Sequence, residues 1–377
     1  RIRNFTKSLM KKKIIHIINL KGLGGVQKNF IEYYNNLKEN NELDHYLFFI
    51  KNDKKNLIYK NILYLDNIKN IIFFLKLLLS QESIISIYNR IASFKLFLIN
   101  ILFFYKKIVV HERGSIYNID SKRESIILKL NYYFASKVVT NSKATKNLLI
   151  KKFNLKLDKI HVVHNGFDVS NLGNIKNKNN KNNKIFVVGF CGRFEFHKNP
   201  YKMIEIAKLS SKDNTINYSL IGSGSLKDKI VQDSQKLSNI KILDSSYNLE
   251  NFYNNIDILI VPSIREPFGN VIIEAGLKQI PVIASYIDGI PEIIKDQYNG
   301  LLVTPKINLD IRNTQKIKHF PIYVINPITQ NLERPKEILA KDVYEKILYL
   351  KNNKKIIDNL SFNMIEEIKL NFSIENY

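Results

Sequence analysis

Short runs of apolar residues alternate along this chain with longer segments whose apolar positions recur every three to four residues. In the first half, residues 13–20, 45–50, 84–88, 108–111, 138–140 and 160–163 read as strands. Segments of helical period, among them 26–37, 68–79 and 124–135, lie between several of them. The polar run at 171–184, NLGNIKNKNNKNNK, carries too little apolar surface to fold alone and reads as a linker or long loop. The alternation then resumes, with strands at 185–190, 217–221, 240–243, 257–261 and 281–284 and helices starting at Pro200, Ser225 and about Gly269. Apolar strands divided by helices predict parallel sheets covered on both faces. The fold class is therefore α/β, with two doubly wound, Rossmann-like domains over 1–165 and 166–335 facing a cleft. An insertion is expected at 306–335, and a helical tail at 336–377, where Ile338, Val343, Ile347 and Leu350 fall near helical spacing. Ligands are expected beyond the carboxyl ends of the strands.

Composition narrows the picture. Of 377 residues, 45% are apolar and 24% charged, which are globular proportions. A single cysteine, Cys191, excludes a disulfide framework or a cysteine-rich metal site and is expected to be a small buried hydrophobe. The basic start RIRNFTKSLMKKK is followed by seven residues, IIHIINL, with no small-residue cleavage site, so no signal peptide is expected. The most apolar stretches, 71–79 and 91–105, each carry a lysine (Lys76, Lys95) and fall short of the roughly 20 apolar residues of a bilayer span. The expected location is cytoplasmic, either free or peripheral on the inner face of the plasma membrane.

The net charge is +24, and it is uneven: residues 1–165 hold 30 Lys and Arg against 11 Asp and Glu, the remainder 28 against 23. Such a half attracts anionic membrane, phosphorylated ligands or nucleic acid. No helix-turn-helix, zinc-finger or RNP pattern supports nucleic acid as a partner. A solvated surface drawn to an anionic membrane is the expectation.

The densest chemistry lies at 261–294, VPSIREPFGNVIIEAGLKQIPVIASYIDGIPEII. A strand ends at its start, a loop carries Glu266, and Pro267, Phe268 and Gly269 lead into a helix bearing Asn270 and Glu274. The free N–H groups of that helix start form an anion site. Taken alone, the two glutamates would be a cap-region acid and a surface charge. Arg193 closes a strand and Lys198 precedes a helix, a pair of cations suited to a diphosphate but also ordinary on a surface. Gly24 and Gly25 follow a strand and open a helix, which lets backbone approach a ligand or merely closes a turn. His111 follows an apolar strand. His16, His161 and His164 take the structural reading, and His197 sits beside the cation pair.

The string from Glu266 to Glu274, with PFG after the first acid, resembles the donor-site signature of family-four glycosyltransferases of the GT-B fold, the glycosyl transferases group 1. Other pieces resemble that family in order over about 13–305: NLKGLGGVQ at 19–27, HERGS at 111–115, TNSKATKNL at 140–148, HNGFD at 164–168, GR…KN at 192–199 and IGSGSL at 221–226. The resemblance implies a retaining transfer of sugar from a nucleotide-sugar, UDP-linked by preference, to a glycan or lipid-linked acceptor. The basic first domain, suited to an anionic inner leaflet, makes bacterial lipopolysaccharide or surface polysaccharide synthesis the expected context. The first domain would take the acceptor and the second the donor. His111, Arg193, Lys198 and Glu266 would be catalytic; Gly24, Gly25, Phe268, Gly269, Asn270 and Glu274 would bind the donor. No Asp-x-Asp triplet or metal-ligand spacing occurs in the chain, so neither a metal nor another cofactor is expected.

Three positions depart from the pattern. Gln279 stands where Gly is usual, Asp288 replaces the first Gly of a Gly-Gly pair expected to face the diphosphate, and Ser223 replaces an acid. A GT-B sugar-nucleotide 2-epimerase and a non-catalytic nucleotide-sugar-binding module are the alternatives.

Overall fold

A computed structural model of the chain describes residues 12–18, 25–37, 43–49, 62–64, 68–80, 83–88, 94–102, 107–119, 121–170, 185–244, 246–309 and 322–376. The linker at 171–184, Gly24 and part of the 306–335 insertion lie outside them. The chain divides into two compact units. The first comprises residues 1–141 and 149–166; the second comprises 142–148 and 167–376.

The first unit is a seven-stranded parallel sheet in the order β3-β2-β1-β4-β5-β6-β7. The strands are β1 (Lys12–Ile17), β2 (Leu43–Phe49), β3 (Ile62–Tyr64), β4 (Ser83–Ile87), β5 (Lys107–Glu112), β6 (Lys137–Thr140) and β7 (Ile160–Val162). Helices α1 (Gly25–Asn35), α2 (Ile68–Leu79), α3 (Phe94–Leu102), α4 (Lys122–Phe134) and α5 (Lys143–Phe153) alternate with them. Ser121 caps α4 by accepting from the Glu124 N–H. The order reverses between β1 and β4, so the crossovers through α2, α3 and α4 all step the same way. Right-handed connection then places these three helices on one face and α1 on the other.

The second unit is a six-stranded parallel sheet in the order β10-β9-β8-β11-β12-β13. Its strands are β8 (Phe186–Cys191), β9 (Ile216–Ile221), β10 (Ile240–Leu243), β11 (Ile258–Val261), β12 (Val282–Ser285) and β13 (Leu301–Val303). Its helices are α6 (Tyr201–Leu209), α7 (Lys227–Ser234), α8 (Leu249–Asn254), α9 (Asn270–Leu277), α10 (Ala340–Lys351) and α11 (Lys354–Asn371). In β11, Ile258 and Ile260 enter the core shared with α6, α7 and α10, whereas Leu259 and Val261 enter the core shared with α8, α9 and the end of α11. Successive side chains point to opposite faces, and both faces are covered, so the strand is apolar at every position.

Both sheets have the expected parallel, doubly wound form. The three-residue strands β3 and β13 were not anticipated, whereas the equally short β7 was. Within the insertion β15 (Val324–Ile325) pairs antiparallel with β16 (Leu332–Glu333), and β14 (Ile307–Asn308) pairs antiparallel with β17 (Lys336–Glu337), a strand at the start of the expected helical tail, whose helix begins only at Ala340. Cys191 is only half-buried, at the edge of the core, rather than the buried hydrophobe expected.

Candidate active site

In the second unit the strand order reverses between β8 and β11, and the loops leaving their carboxyl ends hold the predicted residues. After β8 the chain passes exposed Arg193 into a 3-10 turn, Phe196–Lys198, that ends on Asn199 with φ 51°. This turn is pinned to the next loop: the Ile264 N–H donates to the His197 carbonyl at 2.9 Å. The His197 ring is buried, its Nε2 lying 3.5 Å from the Arg193 guanidinium.

Lys198 and Glu266, 68 positions apart, form an ion pair through Nζ and Oε2. The Ser263 hydroxyl donates to the same carboxylate oxygen at 3.1 Å. Glu266 is buried. Lys198 is more open and has three N–H donors in all, so among the described residues two remain beyond the one given to Glu266. An ammonium held in place by a carboxylate can thus still meet an anionic ligand.

The loop after β11 turns into α9 through Gly269, whose φ of 116° favours glycine; a Cβ there would sit 2.8 Å from Ile272 Cδ1. Asn270 opens the helix. Glu274, one turn further, accepts at Oε2 from the Tyr253 hydroxyl at 3.1 Å. Burial, with Cys191 and Glu274 nearby, raises the Tyr253 pKa well above its usual value, so this phenol remains a donor. The Phe268 side chain is buried edge-on to Phe372, 5.7 Å between ring centres, so the expected contact with a donor rests on its backbone N–H.

Asp288 also departs from expectation. Its side chain does not face a ligand but is buried, Oδ2 accepting from the Glu266 N–H at 3.0 Å and Oδ1 from the Ile325 N–H at 2.7 Å. Burial raises its pKa to about 7, opposed by those two N–H bonds and by Arg265. It ties the Glu266 loop to β15 of the insertion. The following Gly289 is required by close approach: its N–H donates to the Glu266 carbonyl at 3.1 Å, and a Cβ would overlap the Pro267 carbonyl oxygen. Gln279, where Gly is usual, has φ 56°, which explains that preference.

In the first unit His111 is the penultimate residue of β5, its ring stacked on Tyr88, centroids 4.1 Å apart. Its Nε2 lies 3.0 Å from Ser86 Oγ, while Nδ1 is out of solvent with no partner among the described residues. Burial, then Arg113 and His16, lowers its pKa well below 6.5, so the imidazole is neutral at pH 7. The adjacent Glu112 is buried and accepts from the Gly114 and Ile116 N–H groups and the Tyr132 hydroxyl, which fixes the segment. His16 is buried beside Tyr88 and His45, in keeping with its structural reading. Gly25 begins α1. Sequence reasoning missed Ser86, Tyr88, Glu112, Tyr253 and Ser263; of these Glu112 and Ser263 lay inside segments already singled out. Among the described residues no group of three His, Cys, Asp or Glu side chains is placed to hold a metal ion.

Residues 173–312 match the family described as Glycosyl transferases group 1, and residues 96–171 match Glycosyltransferase Family 4. An uncharacterized glycosyltransferase of Methanocaldococcus jannaschii is 28% identical over 253 residues, 62% of each chain. The UDP-Gal:alpha-D-GlcNAc-diphosphoundecaprenol alpha-1,3-galactosyltransferase of Escherichia coli is 27% identical over 203 residues, 48% of this chain and 52% of that protein. The match thus spans between about half and three-fifths of these curated relatives. The crystal structure of Anabaena HepE in complex with UDP and glucose superposes with a TM-score of 0.68 at 18% identity, covering 97% of this chain and 96% of that one.

Proposed function

Because the chain belongs to the family-four, group 1 glycosyltransferases and has their GT-B fold, we propose that it transfers a sugar from a nucleotide-sugar donor to a glycan or lipid-linked acceptor. One observation carries this reading. Arg193 and Lys198 after β8, and Glu266 and the α9 start after β11, converge where the strand order of one sheet reverses.

The acceptor hydroxyl bonds to the anomeric carbon as the bond from that carbon to the diphosphate oxygen breaks. The bonding pair leaves with the diphosphate, which also takes the acceptor's proton. This front-face course retains anomeric configuration. Arg193, the free N–H groups of Lys198 and the backbone N–H groups around Gly269 and Asn270 stabilise the charge that develops on the leaving group. Glu266, held by Lys198 and Ser263, receives sugar hydroxyls, and Glu274 receives the ribose. The reading assigns neutral His111 to a sugar hydroxyl as well. Those cations and the helix start take the place of a divalent ion, so turnover is metal-independent.

UDP is the proposed carrier, supported by the UDP in the HepE structure and the UDP-galactose named for the Escherichia coli relative. The latter acts on a diphosphoundecaprenol-linked sugar, which supports a lipid-linked acceptor in bacterial surface polysaccharide or lipopolysaccharide synthesis.

Nucleotide release from UDP-, GDP-, ADP- and dTDP-sugars, with and without EDTA and with a membrane glycolipid extract as acceptor, tests the reading. EDTA-resistant release from one donor, lost in Arg193→Ala, is expected. Release that needs no acceptor and yields an isomerised sugar would replace it with an epimerase. No release from any donor in the presence of acceptor would overturn it.

A further inference from the structure

The first unit wears apolar side chains on the outside. On α2 the residues Phe74, Leu77 and Leu78 are buried, while Ile68, Ile72, Leu75 and Leu79 are 72%, 48%, 46% and 65% exposed. These four stand at i, i+4, i+7 and i+11, one stripe along the outer side of the helix. Phe94, Leu98, Ile101 and Leu102 repeat the pattern on α3, and Ile126 and Tyr133 are exposed on α4. All three helices lie on the same face of the sheet by the handedness of their crossovers. In the second unit, exposed apolar residues are dispersed over many elements.

A helix apolar on both sides belongs in contact with something apolar on both sides. The charges on these helices say what. Their sequences carry Lys69, Lys76, Lys95, Lys122, Arg123 and Lys129 against a single carboxylate, Glu124. Of the six cations, Lys69, Lys76, Lys122, Arg123 and Lys129 are exposed. A self-association surface of this sign would set like charge against like charge. An anionic lipid surface accepts both features, the stripes entering the acyl boundary and the cations meeting the headgroups.

We propose that the α2–α3–α4 face of the first unit is a docking surface for an anionic membrane, lying on the bilayer without spanning it. Among the described residues no helix is long and apolar enough to cross one. The inference rests on the proposed function only for its purpose, bringing the enzyme to a lipid-linked acceptor.

Flotation of the full chain with phosphatidylcholine vesicles, with and without phosphatidylglycerol, tests it in the absence of any substrate. Salt-sensitive binding to the phosphatidylglycerol vesicles is expected. Lys69→Gln, Lys76→Gln and Lys129→Gln each weaken it about fivefold. Ile72→Ser, Leu75→Ser and Leu98→Ser each weaken it on the order of tenfold even at low salt. Thermal melts of these exposed-site variants match the parent, and nucleotide release in solution is unchanged. Three results overturn the proposal: equal binding to both vesicle types, binding unaffected by either set, or a parent dimer that Leu75→Ser converts to monomer while vesicles bind neither. If nucleotide release is intact in that event, only docking fails; if vesicles bind and no donor is turned over, only the enzymatic reading fails.

Discussion

The two units share one plan, a parallel doubly wound sheet with a reversal of strand order, yet they use it differently. The second covers both faces of its sheet with two large cores and packs its strand-end loops on one another. The first leaves an apolar helix layer outward and holds its distinctive polar groups, His16, Tyr88, His111 and Glu112, inside. The contrast teaches that the sheet sets only where side chains emerge. Chemistry depends on what the loops do with those positions, and partnership on what the helices leave uncovered.

The sharpest way to break the comparison is to remove a group from each unit. Glu266→Gln or Arg193→Ala should lower kcat about 10²- to 10³-fold with little change in Tm. Leu75→Ser should leave turnover of soluble substrates at the parent level; equal losses from both would erase the distinction. Next in size is backbone packing in the second unit. Gly289→Ala sets a methyl against the Pro267 carbonyl and should cost about 3 kcal/mol, a drop of several degrees in thermal melting.

Two sides of one helix sharpen the picture of the first unit. Leu77→Ala, at a buried position of α2, should cost about 2–5 kcal/mol, and Leu75→Ser, on its outer stripe, within about 0.5 kcal/mol. Denaturant titration of both variants measures the difference.

A last difference is in pH dependence, and the units carry opposite signs. Burial, then His45, lowers the His16 pKa to about 3. The unfolded chain therefore binds a proton below pH 6.5 that the folded chain refuses, and stability falls as pH drops from about 6.5 toward 3, by about 1 kcal/mol per unit. Asp288, raised to about 7, keeps its proton in the folded state where the unfolded chain has lost it, so its contribution falls as pH rises from 3.8 to 7. Melting curves from pH 4 to 7 should flatten at the acid end in His16→Gln and at the neutral end in Asp288→Asn.

Much of this was legible in the chain. Helix α2 and strand β10 begin and end where the apolar pattern says. Strands β3 and β13 did not show, although the equally short β7 did. Within the site, the motif string supplied Arg193, Lys198, Glu266 and Glu274, but not the pairing of Lys198 with Glu266, which only the adjacency of β8 and β11 creates. The inward turn of Asp288 was hidden for a related reason. Its partners, the Glu266 and Ile325 N–H groups, lie 22 and 37 positions away and are backbone atoms, which carry no residue signature. The outward stripes of α2 were visible as apolar residues, but a sequence cannot say which of two apolar sides is left uncovered.

The central claim, that the donor site is built on the carboxyl ends of β8 and β11, is tested most directly by hydrogen exchange with and without a saturating UDP-sugar. Slowed exchange at residues 192–199 and 264–271, with α2 and α3 unchanged, is the predicted result. Slowing confined to the first unit, or none at any concentration of any nucleotide-sugar, would contradict it.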